Sequence, residues 1–419
     1  SPHLRSAKSV EELNPAIVQE HRAITGSNPC AGGTDILLTW LSIHEPDSLA
    51  KADCLLFCKD WIRFKLTGQK AIELSDASTS LIDLSTGKIS HRIFELLGIS
   101  AYRSLLPPLI DSYSIVGHVT PQVAALTGLC ENIPVVAGCI DVVATAIGAG
   151  VIEKYDACSV LGTSCINEYI FDDVAHLGDN NAAHLCYDSK SRYICLMGTM
   201  TGMPNIEWAI KTFFSDVLTD IEDTEKLFRY LEKELHKTQP GANGVIYHPY
   251  ISTSGERFPF CDSHARAGFF GITESCNRLH LLRAVYEGLA YSIKDCFADF
   301  TPERIFLAGG GSNDCVLVQI IADCLGVPVI VSDIKELGAR GAAIIAGVGI
   351  GIFHNTEHAL KECTSTNRRY NPNPAFTATY NEVYQLYKHI RMQYATSWQM
   401  RADMLKKIGI REGKINDTV

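Results

Sequence analysis

The sequence predicts an α/β chain of two domains, and three observations carry that expectation. Its 419 residues exceed the roughly 250 to 300 at which a single hydrophobic core stops growing. Its texture changes near Gly150, from helix-rich to strand-rich. Beyond Arg304 it runs strand, helix, strand, helix, the order that builds a sheet with covering helices. The expected division is therefore 1–149 and 150–419. At 46% hydrophobic the chain has material for both cores. A formal net charge of -10 argues against a nucleic-acid or anionic-membrane surface, because both recruit clustered Lys and Arg.

In the first part, "TDILLTWLSIHEPDSLA" is apolar at Ile36, Leu37, Trp40 and Leu41, a helical stripe with Thr34 or Asp35 as its cap. "CKDWIRFKLTG" reads as a short helix closed by Gly68. "IPVVAG" is a short buried strand, and Gly138 begins a turn into "VVATAIGAG". Then "DACSVLGTS", "CINEYIF" and "RYICLMGT" form three β-rich runs. "PNIEWAIKTFFSDVL" and "NRLHLLRAVYEGLAYSIKDCF" carry helical apolar periods, the second through Leu282, Val285, Tyr286, Leu289 and Ile293. A compact unit follows: strand "RIFLAG", glycines 309–311, helix "NDCVLVQIIADCLG", strand "VPVIV" and helix "GARGAAIIAGVG". "TYNEVYQLYKHIRMQY" is a closing amphipathic helix.

The 15 cysteines are scattered, with no C-x-x-C pair and no zinc spacing, so no metal ligands are assigned. With no secretory leader they point to a reducing, cytoplasmic compartment. The longest apolar runs, such as "GAAIIAGVGIGIF", fall short of the ~18 residues of a membrane span. The opening "SPHLRSAKSVEELNP" has no Met and no early strand, and reads as the middle of something longer.

Three constellations could carry chemistry. Gly309, Gly310 and Gly311, with Asn313, lie between a strand and a helix. They are either a tight turn, or a place where backbone comes close to a ligand and helix N-terminal amides meet an anion or polar ring. Neither G-x-x-x-x-G-K-[ST] nor G-x-G-x-x-G is satisfied there. "LGTSC" places Gly162, Thr163 and Ser164 between two strands, as an ordinary hairpin turn or as donors to phosphate oxygens. Asp141 is the lone charge in "VVAGCIDVVATAIGAG". It is either a helix N-cap or a general base walled by small residues, and the roles are compatible.

In this order the constellations resemble the FGGY carbohydrate kinase family. "CKDWIRFKLTG" followed by "ELSDASTSLIDLSTG" is similar to that family's K-D-[WY]-[LI]-R-[YF]-x-L-T-G segment and its S-D-A-S. "ERFPFCDSHARAGFFGIT" resembles E-R-x-P…A-R-G-x-F-x-G-L, with Ala267 in place of a glycine. "LLRAVYEGLAYS", "GGGSNDCVLVQIIADCLGVPV" and "KELGARGAAIIAGVG" resemble the C-terminal signature. The likeness runs from about Gly33 to Phe353.

The resemblance implies an actin-like, ribonuclease-H-like fold, with sugar handled by residues 1–149 and nucleotide by 150–419. It implies ATP and Mg²⁺ as cofactors and a small sugar or polyol as partner. It matches Asp141 to the catalytic aspartate, Gly162, Thr163 and Ser164 to the second phosphate loop, and Gly309, Gly310, Gly311 and Asn313 to the adenosine motif. A homodimer is an assembly common in the family. "AALTGLCENIPVVAGCIDVVATAIGAG" and "GMPNIEWAI" are most similar to the L-xylulose kinase branch and less to erythritol kinases, although Trp208 could equally be a core residue on an ordinary helix. The family's opening D-x-G-T is not found here, so the start of the first domain is expected to be missing. The implied activity is an ATP-dependent pentulose kinase, a phosphotransferase with an alcohol acceptor. The alternatives are an erythritol or other polyol or keto-sugar kinase, or a non-catalytic nucleotide-binding remnant of one. An actin or chaperone relative with ATPase activity would share the fold without needing the sugar-kinase segments.

Overall fold

A computed structural model describes residues 5–174, 182–188, 192–220, 224–363 and 366–410. The helices used below are α1 (Cys58–Thr67), α2 (Asp141–Ala149), α3 (Pro204–Phe213), α4 (Arg278–Cys296), α5 (Cys315–Leu325), α6 (Leu337–Gly349) and α7 (Pro374–Ile408). The strands of the long sheet are β1 (Asp156–Leu161), β2 (Cys165–Phe171), β3 (Ala183–Cys186), β4 (Tyr193–Thr199), β5 (Arg304–Ala308), β6 (Val329–Ser332) and β7 (Asn367–Tyr370). The chain forms two compact units. The first gathers Ser1–Lys154, Glu168–Leu196 and Glu336–Ser365; the second gathers Tyr155–Asn167, Met197–Lys335 and Thr366–Val419.

In the first unit the apolar periods become a core of Ile36, Leu38, Leu81, Ile93 and Phe94. The helix Thr34–His44 forms as its stripe predicts, but Gly33 is its N-cap. Asp35 is instead buried, with Oδ2 2.7 Å from Nε2 of His21. That partner lies outside any local capping pattern, which is why the cap expectation fails. α1 ends where Gly68 takes a left-handed φ of 73°, a conformation open to glycine at little steric cost. α2 and α6 cross at glycines: a Cβ on Gly148 would overlap the Leu337 carbonyl, and one on Gly341 the Ala144 carbonyl. Arg340 ties the crossing by donating from Nη1 to the Gly148 carbonyl at 2.9 Å. β3, a strand the periodicity did not announce, pairs antiparallel with β4 (Tyr193 opposite Cys186).

The second unit follows the strand and helix series of the sequence. The strands that lie wholly within it run β7-β6-β5-β1. β5 is parallel to β6 and to β1, with Ala308 opposite Val160, and β7 closes the edge antiparallel. Parallel neighbours buried on both faces account for the continuous apolar runs of β1 and β6. α4 buries Leu282, Val285, Tyr286, Leu289 and Ile293, the stripe read from the sequence. The helix expected through "PNIEWAIKTFFSDVL" stops at Phe213, and a separate helix runs Ser215–Asp220. Trp208 is not a core residue: it is 37% exposed and stacks at 6.4 Å on Tyr247. The closing helix α7 has 35 residues, well beyond its predicted segment. Among the described residues no helix is long and apolar enough to cross a membrane.

One buried histidine makes the second unit sensitive to acid. His248 is fully buried, stacked at 4.4 Å on Tyr387, with Nε2 3.0 Å from the Tyr387 carbonyl. Burial pushes its pKa from 6.5 down to about 4. The folded ring stays neutral where an unfolded one would take a proton, so its contribution to stability is present above pH 6.5 and lost as the pH falls toward 4. Equilibrium unfolding measured across that window is expected to show stability falling with acid, with a shallower slope in His248→Phe; equal slopes would contradict the assignment.

Candidate active site

Two groups of candidate residues stand out, one in each unit. In the first, the chain leaves the short strand Pro134–Val136, turns at Gly138 (φ 73°) and enters α2. Asp141 is not the N-cap of that helix. Ile140 holds the cap position, and Asp141 is the first helical residue, exposed, with Oδ1 accepting from the amide of Val142 at 2.9 Å. A carboxylate one position inside the helix points out of it and benefits from the positive end of the dipole.

Two quoted sequence segments hold this turn in place. From α1, Arg63 donates Nη1 to the Ala137 carbonyl at 2.9 Å and Nη2 to the Ala71 carbonyl at 2.6 Å. From the short helix Leu74–Ala77, Ser75 accepts the Ile140 amide at 2.8 Å through its hydroxyl. That hydroxyl donates to Oε2 of Glu73 at 2.7 Å, and Oε1 of Glu73 accepts from Ser112 at 2.7 Å. Lys59 Nζ sits among three carboxylates, 2.9 Å from Asp60 Oδ1, 3.2 Å from Glu73 Oε2 and 2.9 Å from Asp76 Oδ2. Burial works against the Lys59 charge, but Glu73, Asp76 and Asp60 together hold its pKa above the ordinary value. Burial raises Asp76, against the pull of Lys59. Cys139, two residues before Asp141, has its thiol pushed well up by burial and then by Glu73, so it is not a ready nucleophile.

The segments were legible as motifs, but the parts played by Lys59, Asp60, Arg63, Glu73, Ser75, Asp76 and Ser112 were not. One signal existed. Lys59, Asp60 and Arg63 fall at spacings that bring them onto one helical face toward a common partner.

In the second unit the two glycine-bearing loops come together. β1 and β5 are neighbouring parallel strands, and residues 162–164 and 309–313 follow their C-terminal ends. That is where ligands bind in open α/β sheets. A Cβ on Gly309 (φ 81°) would lie 2.5 Å from the Leu161 carbonyl oxygen, and one on Gly311 would lie 2.6 Å from the Leu161 side chain. A Cβ on Gly202 would lie 2.5 Å from the Gly162 carbonyl oxygen, which accepts from the Met203 amide at 2.8 Å. The turn at 200–202 is fixed by Glu256, whose Oε1 accepts from Met200 N at 2.6 Å and whose Oε2 accepts from the Thr201 hydroxyl at 2.8 Å. Burial raises the Glu256 pKa against these donors. Asn205 is buried, donating to the Gly202 carbonyl at 3.0 Å and accepting from the Tyr247 hydroxyl at 2.9 Å.

The anion-binding amides expected at the start of α5 are already engaged. Oδ1 of Asp314 accepts from Val316 N and Leu317 N, both at 3.1 Å, and Oδ2 accepts from Tyr286 at 2.7 Å. What remains open is the backbone before the helix. Gly309, Gly310 and Asn313 are exposed, as is Thr163 in the other loop. A Cβ on Gly310 would meet no protein atom within 4 Å. At Gly310, unlike Gly309 and Gly311, the bare backbone is not demanded by packing.

Lys59→Met would leave Glu73 and Asp76 without their cation, while Asp60 keeps Arg63 at 3.0 Å, and is expected to destabilise the protein by about 3–5 kcal/mol. Adding Asp76→Asn removes one of those charges and should restore part of the loss. Chemical denaturation of both variants checks this, and a double variant no more stable than Lys59→Met would contradict the role given to the cluster.

Both parts of the chain resemble known proteins. Residues 2–148 match the N-terminal domain, and residues 157–350 the C-terminal domain, of the FGGY family of carbohydrate kinases. Erythritol kinase of Brucella abortus (strain 2308) is 30% identical over 391 residues, 90% of this chain and 74% of that one. L-xylulose/3-keto-L-gulonate kinase of Escherichia coli (strain K12) is 29% identical over 362 residues, 84% of this chain and 69% of that one. The crystal structure of ligand-bound xylulose kinase from Lactobacillus acidophilus superposes with a TM-score of 0.83 at 23% identity, covering 94% of this chain and 79% of that one.

Proposed function

The chain belongs to the FGGY family of carbohydrate kinases, and on that premise we propose that it transfers the γ-phosphoryl group of ATP to a hydroxyl of a pentulose such as L-xylulose. ATP-dependent phosphoryl transfer to an alcohol is the chemistry of the family. The observation that carries the reading on this chain is the Asp141 turn, an exposed carboxylate whose flanking backbone is gripped by Arg63 and Ser75. An alcohol is a weak nucleophile, and Asp141 accepts its proton as the hydroxyl oxygen attacks. A base must be held in one position to act this way, and the buried charges beneath the turn serve that purpose.

We assign the nucleotide side to residues 150–419 and the sugar side to residues 1–149. Gly162, Thr163 and Ser164 would hold phosphate oxygens, and Gly309, Gly310, Gly311 and Asn313 the adenosine. ATP with Mg²⁺ supplies the phosphoryl group and neutralises its charge. Mg²⁺ commonly relies on phosphate oxygens, water and one or two carboxylates instead of a full protein cage. A reducing cytoplasm suits the 15 free cysteines. Erythritol or a related polyol is the second reading of the acceptor, favoured by the 30% identity to an erythritol kinase.

Coupled ADP release from ATP and Mg²⁺ across ketopentoses, polyols and keto-gulonates tests the proposal. L-xylulose is expected to stimulate release, and Asp141→Asn to lower it by about 10²- to 10⁴-fold. Stimulation by erythritol but not by any pentulose would move the assignment to the second reading, and silence across the panel would overturn it. Gly310→Ala tests the nucleotide side. Its new Cβ has open space in the protein, so the melting temperature should hold while KM for ATP rises.

A further inference from the structure

The first unit contains a cavity of about 330 Å³ lined by none of the site residues above. Asp111, Tyr113, Asp188, Arg192, Thr356 and Glu357 are among its walls. The volume lies in the range of small-molecule sites, and the lining mixes hydroxyls, carboxylates and a guanidinium.

Most of those groups are already satisfied. Asp188 is buried, and Arg192 neutralises it with Nε at 2.8 Å and Nη2 at 2.6 Å from Oδ2. Arg192 also donates Nη1 to the Ile152 carbonyl at 2.8 Å. The hydroxyls of Tyr113 and Thr356 lie 3.1 Å apart, one donating to the other. Glu357 is exposed and keeps its water. Asp111 is different: Oδ1 accepts from the Tyr113 amide at 2.9 Å, while Oδ2 is buried with no hydrogen-bond partner among the described residues. A buried acceptor left unpaired is costly, and more so when charged. It calls for a donor supplied from the cavity.

The chemistry of that donor is restricted. A phosphate would face Asp111, Asp188 and Glu357 with the one nearby guanidinium already engaged. An ammonium has no lone pair to accept the one proton that the Tyr113 and Thr356 hydroxyl pair leaves undonated. A hydroxyl donates its proton to Oδ2, and a neighbouring hydroxyl on the same molecule can accept from the Tyr113 and Thr356 pair. We propose that this cavity is a second small-molecule site, selective for a neutral polyol, either an open-chain sugar alcohol or an unphosphorylated ketose. The proposal does not depend on the reaction assigned to Asp141.

Hydrogen–deuterium exchange on the full chain tests it, with xylitol, L-xylulose, xylulose 5-phosphate and putrescine as probes. Xylitol or L-xylulose should slow exchange in peptides covering 109–116 and 350–360, and should still do so in Asp141→Asn. That protection should be lost in Asp111→Asn and in the near-isosteric Tyr113→Phe, which decides the matter if the first variant fails to fold. Protection confined to peptides 71–78 and 138–145 would mean that polyols use only the site at Asp141, and would overturn the proposal. Protection by xylulose 5-phosphate or putrescine in place of the neutral polyols, or no protection at all, would also overturn it.

Discussion

Glu73 is a carboxylate with no solvent exposure, and the first unit is organised around meeting its needs. A buried charge persists only where it is paired and hydrogen-bonded. Here the donors come from separate parts of the chain: Lys59 on α1, Ser75 through both its amide and its hydroxyl, and Ser112 on the segment leading to Tyr113. Satisfying one residue therefore draws three segments together, and the Ser75 hydroxyl passes the constraint on to Ile140. The placement of Asp141 follows from the solvation of a residue that plays no part in the chemistry.

The second unit uses the same device with different residues. Glu256, 1% exposed, gathers Met200, Thr201 and Arg257 backbone or side-chain donors, and so fixes the turn that packs on the 162–164 loop. In both units a buried carboxylate lies one layer behind the residues that would meet the substrates. Partly satisfied networks of this kind are high in stakes, because each donor lost leaves a charge in a poorly solvated place.

What could be read from the sequence divides along the same line. Helices and strands whose signal is local were legible: α1 with its terminal glycine, the α4 stripe, and the β5 to α6 series all stand where periodicity put them. Gly162 and Gly309 to Gly311 became candidates because glycine at a strand end is a local mark as well. Partnerships were not legible. Asp35 belongs to His21 on a separate helix, and Ser112 to Glu73 and Arg63 to the Ala137 carbonyl across 39 and 74 residues, pairings that no local period marks. The same limit explains the errors at helix starts. Asp141 stands one residue inside its helix, and the amides at the head of α5 are taken by Asp314, distinctions that depend on backbone angles and not on composition.

The crossing of α2 and α6 at Gly148 and Gly341 leaves those helices no room to slide past each other. The C-terminal half of α2 is thus a fixed post, and the turn from Gly138 to Ile140 that leads into it is held by Arg63 and Ser75. Asp141 is thereby braced from both sides, by the helix crossing that follows it and by the side chains that grip the turn before it.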